Sequence, residues 1–305
     1  MQLGMIGLGR MGGNMAERLL RAGHTVIGTS RTRQTVDEAA ARGITPVYSI
    51  EDLVAALPPP RAVWIMVPAG EATEATLGQV AALCAAGDLL IDGGNSYYKD
   101  SMRHGAELAA RGLHFLDVGT SGGIWGLQEG YSLMVGGAAE AVAILRPLFE
   151  ALAPAPDKGW AHLGPVGAGH FTKMIHNGIE YGMMQALAEG FAIMEQRAEL
   201  QLDLHAVAET WRYGSVVRSW LLDLVADGLA ADDDLCDIAP YVADSGEGRW
   251  TVAEAIELNV PAPVITLSLL QRLRSRDDRC FADRILAMMR NQFGGHEMRR
   301  EDRRD

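Results

Sequence analysis

A parallel α/β sheet covered by helices on both faces, followed by an all-helical domain, is the fold class this sequence predicts. Three observations predict it. Short, almost continuously apolar runs alternate with helix-patterned stretches through the first half. A glycine-rich turn joins the first run to the first helical stretch. Strand signals stop near residue 165, and only helical patterns follow.

The apolar runs are QLGMIG (2–7), TVIGTS (25–30), AVWIMV (62–67), DLLIDGG (88–94) and HFLDVG (114–119). Strands apolar on both faces belong to a parallel sheet buried between helices, because a half-solvated sheet would alternate polar and apolar residues. Helical patterns occupy 10–22, 34–42, 71–84 and 97–111. Gly and Pro mark strand ends, as in VPAG (67–70) and DGGNS (92–96). From 167 to 196 the pattern predicts one long helix. Shorter helices are expected at 203–213, 217–229, 251–258, 263–275 and 277–292. The expected domains are therefore 1–164 and 165–305. The last ten residues, HEMRREDRRD, read as a charged, solvated tail.

Composition narrows the function classes. With 48% hydrophobic residues, the 305-residue chain can bury a sizeable core and is not a disordered one. A net charge of −12 argues against a nucleic-acid or anionic-membrane partner, though a local basic pocket still permits an acidic substrate. Cys84, Cys236 and Cys280 are far apart, odd in number and without metal-ligand spacing, so reduced thiols and no metal are expected. No apolar run reaches the ~18 residues of a membrane span, and no targeting segment is evident. The expected location is the cytoplasm.

GLGRMG (7–12) opens a helix directly after a strand and fits G-x-G-x-x-G. Gly7 permits the tight turn. Gly9 lets the backbone approach a pyrophosphate, and Gly12 lets helix and strand pack closely. Unpaired N–H groups at the helix N-terminus then face the phosphates. This predicts a Rossmann-type, doubly wound dinucleotide-binding domain. At the end of the second strand an NAD site usually carries an acid for the ribose hydroxyls. Here Thr29-Ser30-Arg31-Thr32-Arg33 stands instead, with no acid before Asp37. Arg31 suits a 2′-phosphate, so NADP is expected, with NAD possible.

KMIHNGIEYG (173–182) poses the chemical question. Lys173, His176, Asn177 and Glu180 fall at i, i+3, i+4 and i+7, the stripe a core helix would fill with Leu. Seven residues are two turns, about 10 Å along one face. Lys173 and Glu180 can thus flank a small substrate as base and acid, with Asn177 binding a hydroxyl.

GHFTKMIHNGIEYG (169–182) resembles the catalytic helix of the 6-phosphogluconate dehydrogenase family. GLGRMG, Ser30-Arg31-Thr32, DGGNS, SGG (121–123) and RNQFGGH (290–296) resemble further segments of that family in order. The resemblance implies oxidative decarboxylation of 6-phosphogluconate to ribulose 5-phosphate and CO2. It implies cofactor contacts at Gly7, Gly9, Arg10, Met11, Gly12, Ser30, Arg31, Thr32, Val67, Pro68 and Asn95. Lys173 would take the C3 hydroxyl proton and Glu180 would protonate the enol. Asn95, Ser121, Gly122, Gly123, His176 and Asn177 would hold the sugar-acid chain and carboxylate. Tyr181, Arg272, Arg290 and His296 would surround the phosphate, with Arg290 and His296 closing the site of a neighbouring subunit in a homodimer or dimer of dimers. Two departures stand out. Only one set of helices is present, as in a shorter branch of the family. Where the longer form carries Lys-Gly-Thr-Gly, this chain has Ser245-Gly246-Glu247-Gly248. The nearest rival reading is a β-hydroxyacid dehydrogenase, for instance one acting on 3-hydroxyisobutyrate.

Overall fold

The computed structural model describes residues 1–232, 235–294 and 297–299, with side chains left out at 293 and 294. They form two compact units, Met1–Ile179 and Glu180–Asp305.

The first unit holds an eight-stranded sheet. Its strands are β1 (Gln2–Ile6), β2 (Thr25–Thr29), β3 (Thr45–Pro46), β4 (Ala62–Ile65), β5 (Leu89–Asp92), β6 (His114–Ser121), β7 (Ser132–Gly137) and β8 (Trp160–Gly164). The order is β3-β2-β1-β4-β5-β6-β7-β8. Neighbours are parallel except β6 and β7, which run antiparallel. Alternate residues feed two cores, one on each face. Leu89 and Ile91 join one cluster with Leu3, Met5 and Trp64, whereas Leu90 joins the other with Ile6, Val63 and Ile65. The continuously apolar runs are the consequence of this double burial.

All five runs read in the sequence are strands. Three strands lack such a signal, for physical reasons. β3 is two exposed residues including a proline, and three of the five β8 residues are exposed. β7 ends in paired glycines, which break the apolar run. The helix Ala139–Leu152 also goes unread, because Pro147 lies inside it.

The strand order reverses between β1 and β4, which both lie beside one another at the head of the two half-sheets. The carboxyl ends of such neighbours make the crevice where open α/β sheets bind ligands. Gly7 follows β1 and Val67 follows β4 shortly after.

One continuous helix runs Ala168–Glu195. Its first turns belong to the first unit, because Gly169 lies so close to Asp117 O, Met134 O and Gly136 N that a Cβ would overlap them. The division between compact units therefore falls within the helix rather than before it.

In the second unit follow Leu204–Arg212, Trp220–Ala231, Glu247–Glu257, Pro263–Arg274 and Phe281–Gly294. Asp203 and Ser219 cap the first two of these by accepting from Ala206 N and Leu222 N. Leu187 and Phe191 of the long helix pack with Trp211 and Val225 against Ala208, Leu222 and Ala226. Other apolar side chains of this unit remain open, among them Ile193 at 72% and Val216 at 99% exposure. Among the described residues no helix is long and apolar enough to cross a membrane.

Candidate active site

The glycine turn forms as its spacing requires. Gly7 has φ +96°, and a Cβ there would overlap Met66 O. A Cβ on Gly12 would overlap Gly7 O, so strand and helix Arg10–Arg21 meet backbone to backbone. Gly9 has open space before it, and the helix it begins has no side-chain cap and no acid in its first turn. Uncapped N–H groups facing open space fit a dinucleotide pyrophosphate. Arg10 is exposed, while Met11 packs against the core.

At the end of β2, Ser30 is half-buried and Arg31 is exposed. Thr32 is occupied as the cap of helix Arg33–Ala40, accepting from Thr35 N, with the two threonine hydroxyls 2.7 Å apart. Arg33 stacks on Tyr48 at 4.0 Å, and Tyr48 donates to Asp37. Asp37, the first acid after the strand, is thus held by a tyrosine, and Arg31 remains exposed at the strand end. Val67 packs on the second core cluster, and exposed Pro68 accepts from the Thr73 hydroxyl through its carbonyl.

Asn95, with φ 52°, spends its side chain on a backbone. Its Oδ1 accepts from Thr120 N at 2.9 Å and its Nδ2 donates to Thr120 O at 3.2 Å. This pins the DGGNS loop to the end of β6, next to Ser121. Gly122 and Gly123 follow with φ +127° and +52°, conformations that side chains resist.

The β6 face toward the long helix is set by strand alternation. Asp117, Gly119 and Ser121 share it. Asp117 Oδ1 and Oδ2 accept from Gly167 N and His170 N, each at 2.7 Å. A Cβ on Gly119 would overlap Lys173 Cβ. Ser121 Oγ lies 3.5 Å from His176 Nε2. Further along the helix, His176 Nδ1 lies 3.1 Å and Lys173 Nζ 2.5 Å from Asn177 Oδ1. With Nδ1 as donor to Asn177, Nε2 is left to accept, which suits the Ser121 hydroxyl; the tautomer is assigned from this network. Lys173 is 5% exposed, so its amine is delivered to a desolvated place beside an amide oxygen. Sequence reasoning did not single out Asp117 or Gly119. Their signal is an alternating Asp-x-Gly-x-Ser on a strand ending in SGG.

In the second unit, half-buried Glu180 precedes Tyr181, which is 5% exposed. The Tyr181 ring carries the Arg272 guanidinium at 3.5 Å, and its hydroxyl accepts from Ser245 N at 3.4 Å. A Cβ on Gly248 would overlap the same ring. Arg272 also donates to Ala243 O at 2.9 Å. Glu247 accepts the Ser245 hydroxyl, and Arg249 and Arg276 both bind Asp244. Arg249 is thereby committed to a carboxylate beside the loop. The structure brings Tyr181 and Arg272 together. Arg290 is exposed on its helix, and His296 lies outside the described residues.

Comparison with known proteins agrees along the whole chain. Residues 2–164 match the NAD binding domain of 6-phosphogluconate dehydrogenase, and residues 169–305 match the 6-phosphogluconate dehydrogenase C-terminal domain. An NAD+-dependent, decarboxylating 6-phosphogluconate dehydrogenase of Haloferax volcanii is 44% identical over 303 residues, covering 99% of this chain and 100% of the relative. An NADP+-dependent, decarboxylating one of Bacillus subtilis is 39% identical over 301 residues, covering 94% of this chain but 64% of that longer protein. The Plasmodium falciparum enzyme, solved alone, with NADP+ and with 6-phosphogluconate, superposes with a TM-score of 0.84 at 28% identity, covering 100% of this chain and 67% of that one. By its two matched domains and its full-length relatives, the chain belongs to the 6-phosphogluconate dehydrogenase family.

Proposed function

We propose that the protein oxidises and decarboxylates 6-phosphogluconate to ribulose 5-phosphate and CO2. The observation that carries this reading is buried Lys173, held against Asn177 Oδ1 on a helix that sets Glu180 two turns further along. A dehydrogenase that stopped at the ketone would need the base alone; the second proton carrier suits a reaction that continues to an enol.

Gly7, Gly9, Arg10, Gly12, Arg31 and the Val67–Pro68 turn would hold the dinucleotide, whose nicotinamide supplies the hydride acceptor. Lys173 takes the C3 hydroxyl proton as the C3 hydride departs, which leaves a 3-keto acid. The carboxylate then leaves as CO2, and its bonding pair becomes the enediol. Glu180 delivers a proton to the former C2, which becomes C1 of the ketose. Ser121, His176 and the SGG backbone orient the carboxylate end, with Asn95 fixing that loop through Thr120. Arg272 on Tyr181 supports the phosphate end. Glu247 is an acceptor already bonded to Ser245, so the loop offers its backbone rather than its acid to an anion. The exposed Arg31 favours NADP, and relatives of both dependencies leave NAD as a second substrate for the same turn.

We further infer a homodimer acting in the cytoplasm. Ile193, Val216 and the other open apolar side chains of the helical unit support a second copy as their cover. A monomer by sedimentation at micromolar concentration would remove that inference.

The deciding experiment offers 1-14C-labelled 6-phosphogluconate, gluconate and 3-hydroxyisobutyrate with each dinucleotide. The expected result is labelled CO2 and reduced cofactor in equal amounts from 6-phosphogluconate. Reduced cofactor without CO2 would favour the β-hydroxyacid rival.

A further inference from the structure

Residue 117 is an acid on an interior strand of the sheet, 0% exposed, and none of the chemistry above uses it. A buried carboxylate is costly unless it is fully bonded. Its partners here are two backbone N–H groups at the start of the long helix, Gly167 N and His170 N, each at 2.7 Å. Those donors would otherwise be orphans of a helix N-terminus sunk in the protein, since Gly167, Gly169 and His170 are all buried. The sequence before the helix, Gly164-Pro165-Val166-Gly167, offers no side-chain cap. The cap arrives from another element, and space has been cleared for it. A Cβ on Gly136, the residue paired with Asp117 across β6 and β7, would overlap Asp117 Oδ1.

A local cap would steady the helix equally well. A cap from β6 does something more, because β6 is the strand that the reacting face of the helix lies on. Two strand residues and four to five helix residues both advance about 7 Å. From Asp117 to Gly119, and from the clamped turn to Lys173, the two elements therefore keep step. Two residues further along the strand, Ser121 meets His176. Two bonds to N–H groups three residues apart resist both sliding and rotation of the helix. Gly119, with no room for a Cβ, lets Lys173 use the position so defined.

We propose that Asp117 is a positioning residue for Lys173, setting the register of the helix on β6 so that the amine reaches the reacting hydroxyl. The proposal rests on Lys173 being the base, and the test separates the two. Asp117→Asn keeps the volume but can accept at only one oxygen. The expected result is a fall in kcat of about 10- to 100-fold, with dinucleotide Kd within twofold of the parent, because the glycine turn follows β1, which β4 and β5 separate from β6. In a Lys173→Met background the same substitution is expected to add less than twofold, since a residue acting through Lys173 has nothing left to act on. If Asn does not yield folded protein, Asp117→Ser, with one hydroxyl acceptor, is read in the same way. A variant with a lower melting temperature but a parental kcat would show that Asp117 only stabilises the helix, and the proposal would fall. A Lys173→Met enzyme with normal turnover would sink the base assignment instead.

Discussion

Gly119 and Lys173 cross so closely that glycine is the only residue β6 can place there: any Cβ would overlap the Cβ of the lysine. The crossing converts a strand position into a constraint on a proton-carrying side chain. Gly119→Ala is expected to push Lys173 off its place beside Asn177. A displacement of about 1 Å at a reacting group can cost ~10²-fold, so kcat is expected to fall by about that factor while dinucleotide binding is retained. Steady-state kinetics with a fluorescence titration of the reduced cofactor checks it, and a parental kcat would contradict the crossing's functional weight.

Lys173→Met and Glu180→Gln are expected to fail at different steps. A positioned proton carrier is typically worth ~10²–10⁴-fold. The lysine variant should lose hydride transfer itself. The glutamate variant should release a rapid first turnover of reduced cofactor and then turn over slowly, because the enediol waits for its proton. Stopped-flow absorbance at the reduced nicotinamide band distinguishes them. Absence of a burst with Glu180→Gln would reassign the acid.

Arg31 stands exposed where its neighbours are already engaged, Thr32 as a cap and Arg33 on Tyr48. Arg31→Ala is expected to lower kcat/KM for NADP about tenfold or more and to leave NAD nearly unchanged, the scale of one charge-assisted contact. Equal losses with both cofactors would mean that Arg31 reads the adenine or the shared pyrophosphate instead.

Asp244 sits between two guanidinium groups. Its hydrogen bonds to Arg249, and secondarily to Arg276, hold its carboxyl down at about 2. A group depressed in the folded state contributes stability above its unfolded value near 3.8 and loses it as pH falls through about 2. Arg249 is half exposed, so the contribution is roughly 1–2 kcal/mol after screening. Asp244→Asn is therefore expected to be less stable than the parent by that amount at neutral pH. The gap should narrow between about pH 4 and pH 2. Urea titrations across that range give the measurement, and a gap independent of pH would exclude the ion pairs as its source.

Much of this molecule is legible in its sequence because the signals are local. Double burial writes continuous apolar runs, and all five became strands. The turn at Gly7–Gly12 needs glycines at fixed offsets, so its geometry can be read from spacing alone. The i, i+3, i+4, i+7 stripe of Lys173, His176, Asn177 and Glu180 follows from helix periodicity. The short β3, the exposed β8 and the proline-bearing helix Ala139–Leu152 escaped because no local energy marks them; neighbours already in place stabilise them.

What only the tertiary structure decided is which groups spend their hydrogen bonds on one another. Asn95 also fastens a loop, spending one N–H and one lone pair of its amide on Thr120. Arg249 follows the Ser245–Gly248 loop directly in sequence, yet its guanidinium is held by Asp244. Asp117 looked like an ordinary strand residue, yet it caps a helix 50 residues away. Sequence determined the elements, the dinucleotide turn and the stripe of polar residues on one helix, because each depends on residues within a few positions. The commitments of individual side chains, and the register that brings Lys173 over Gly119, depend on distances between residues far apart in the chain, and those exist only once the sheet and helix have packed.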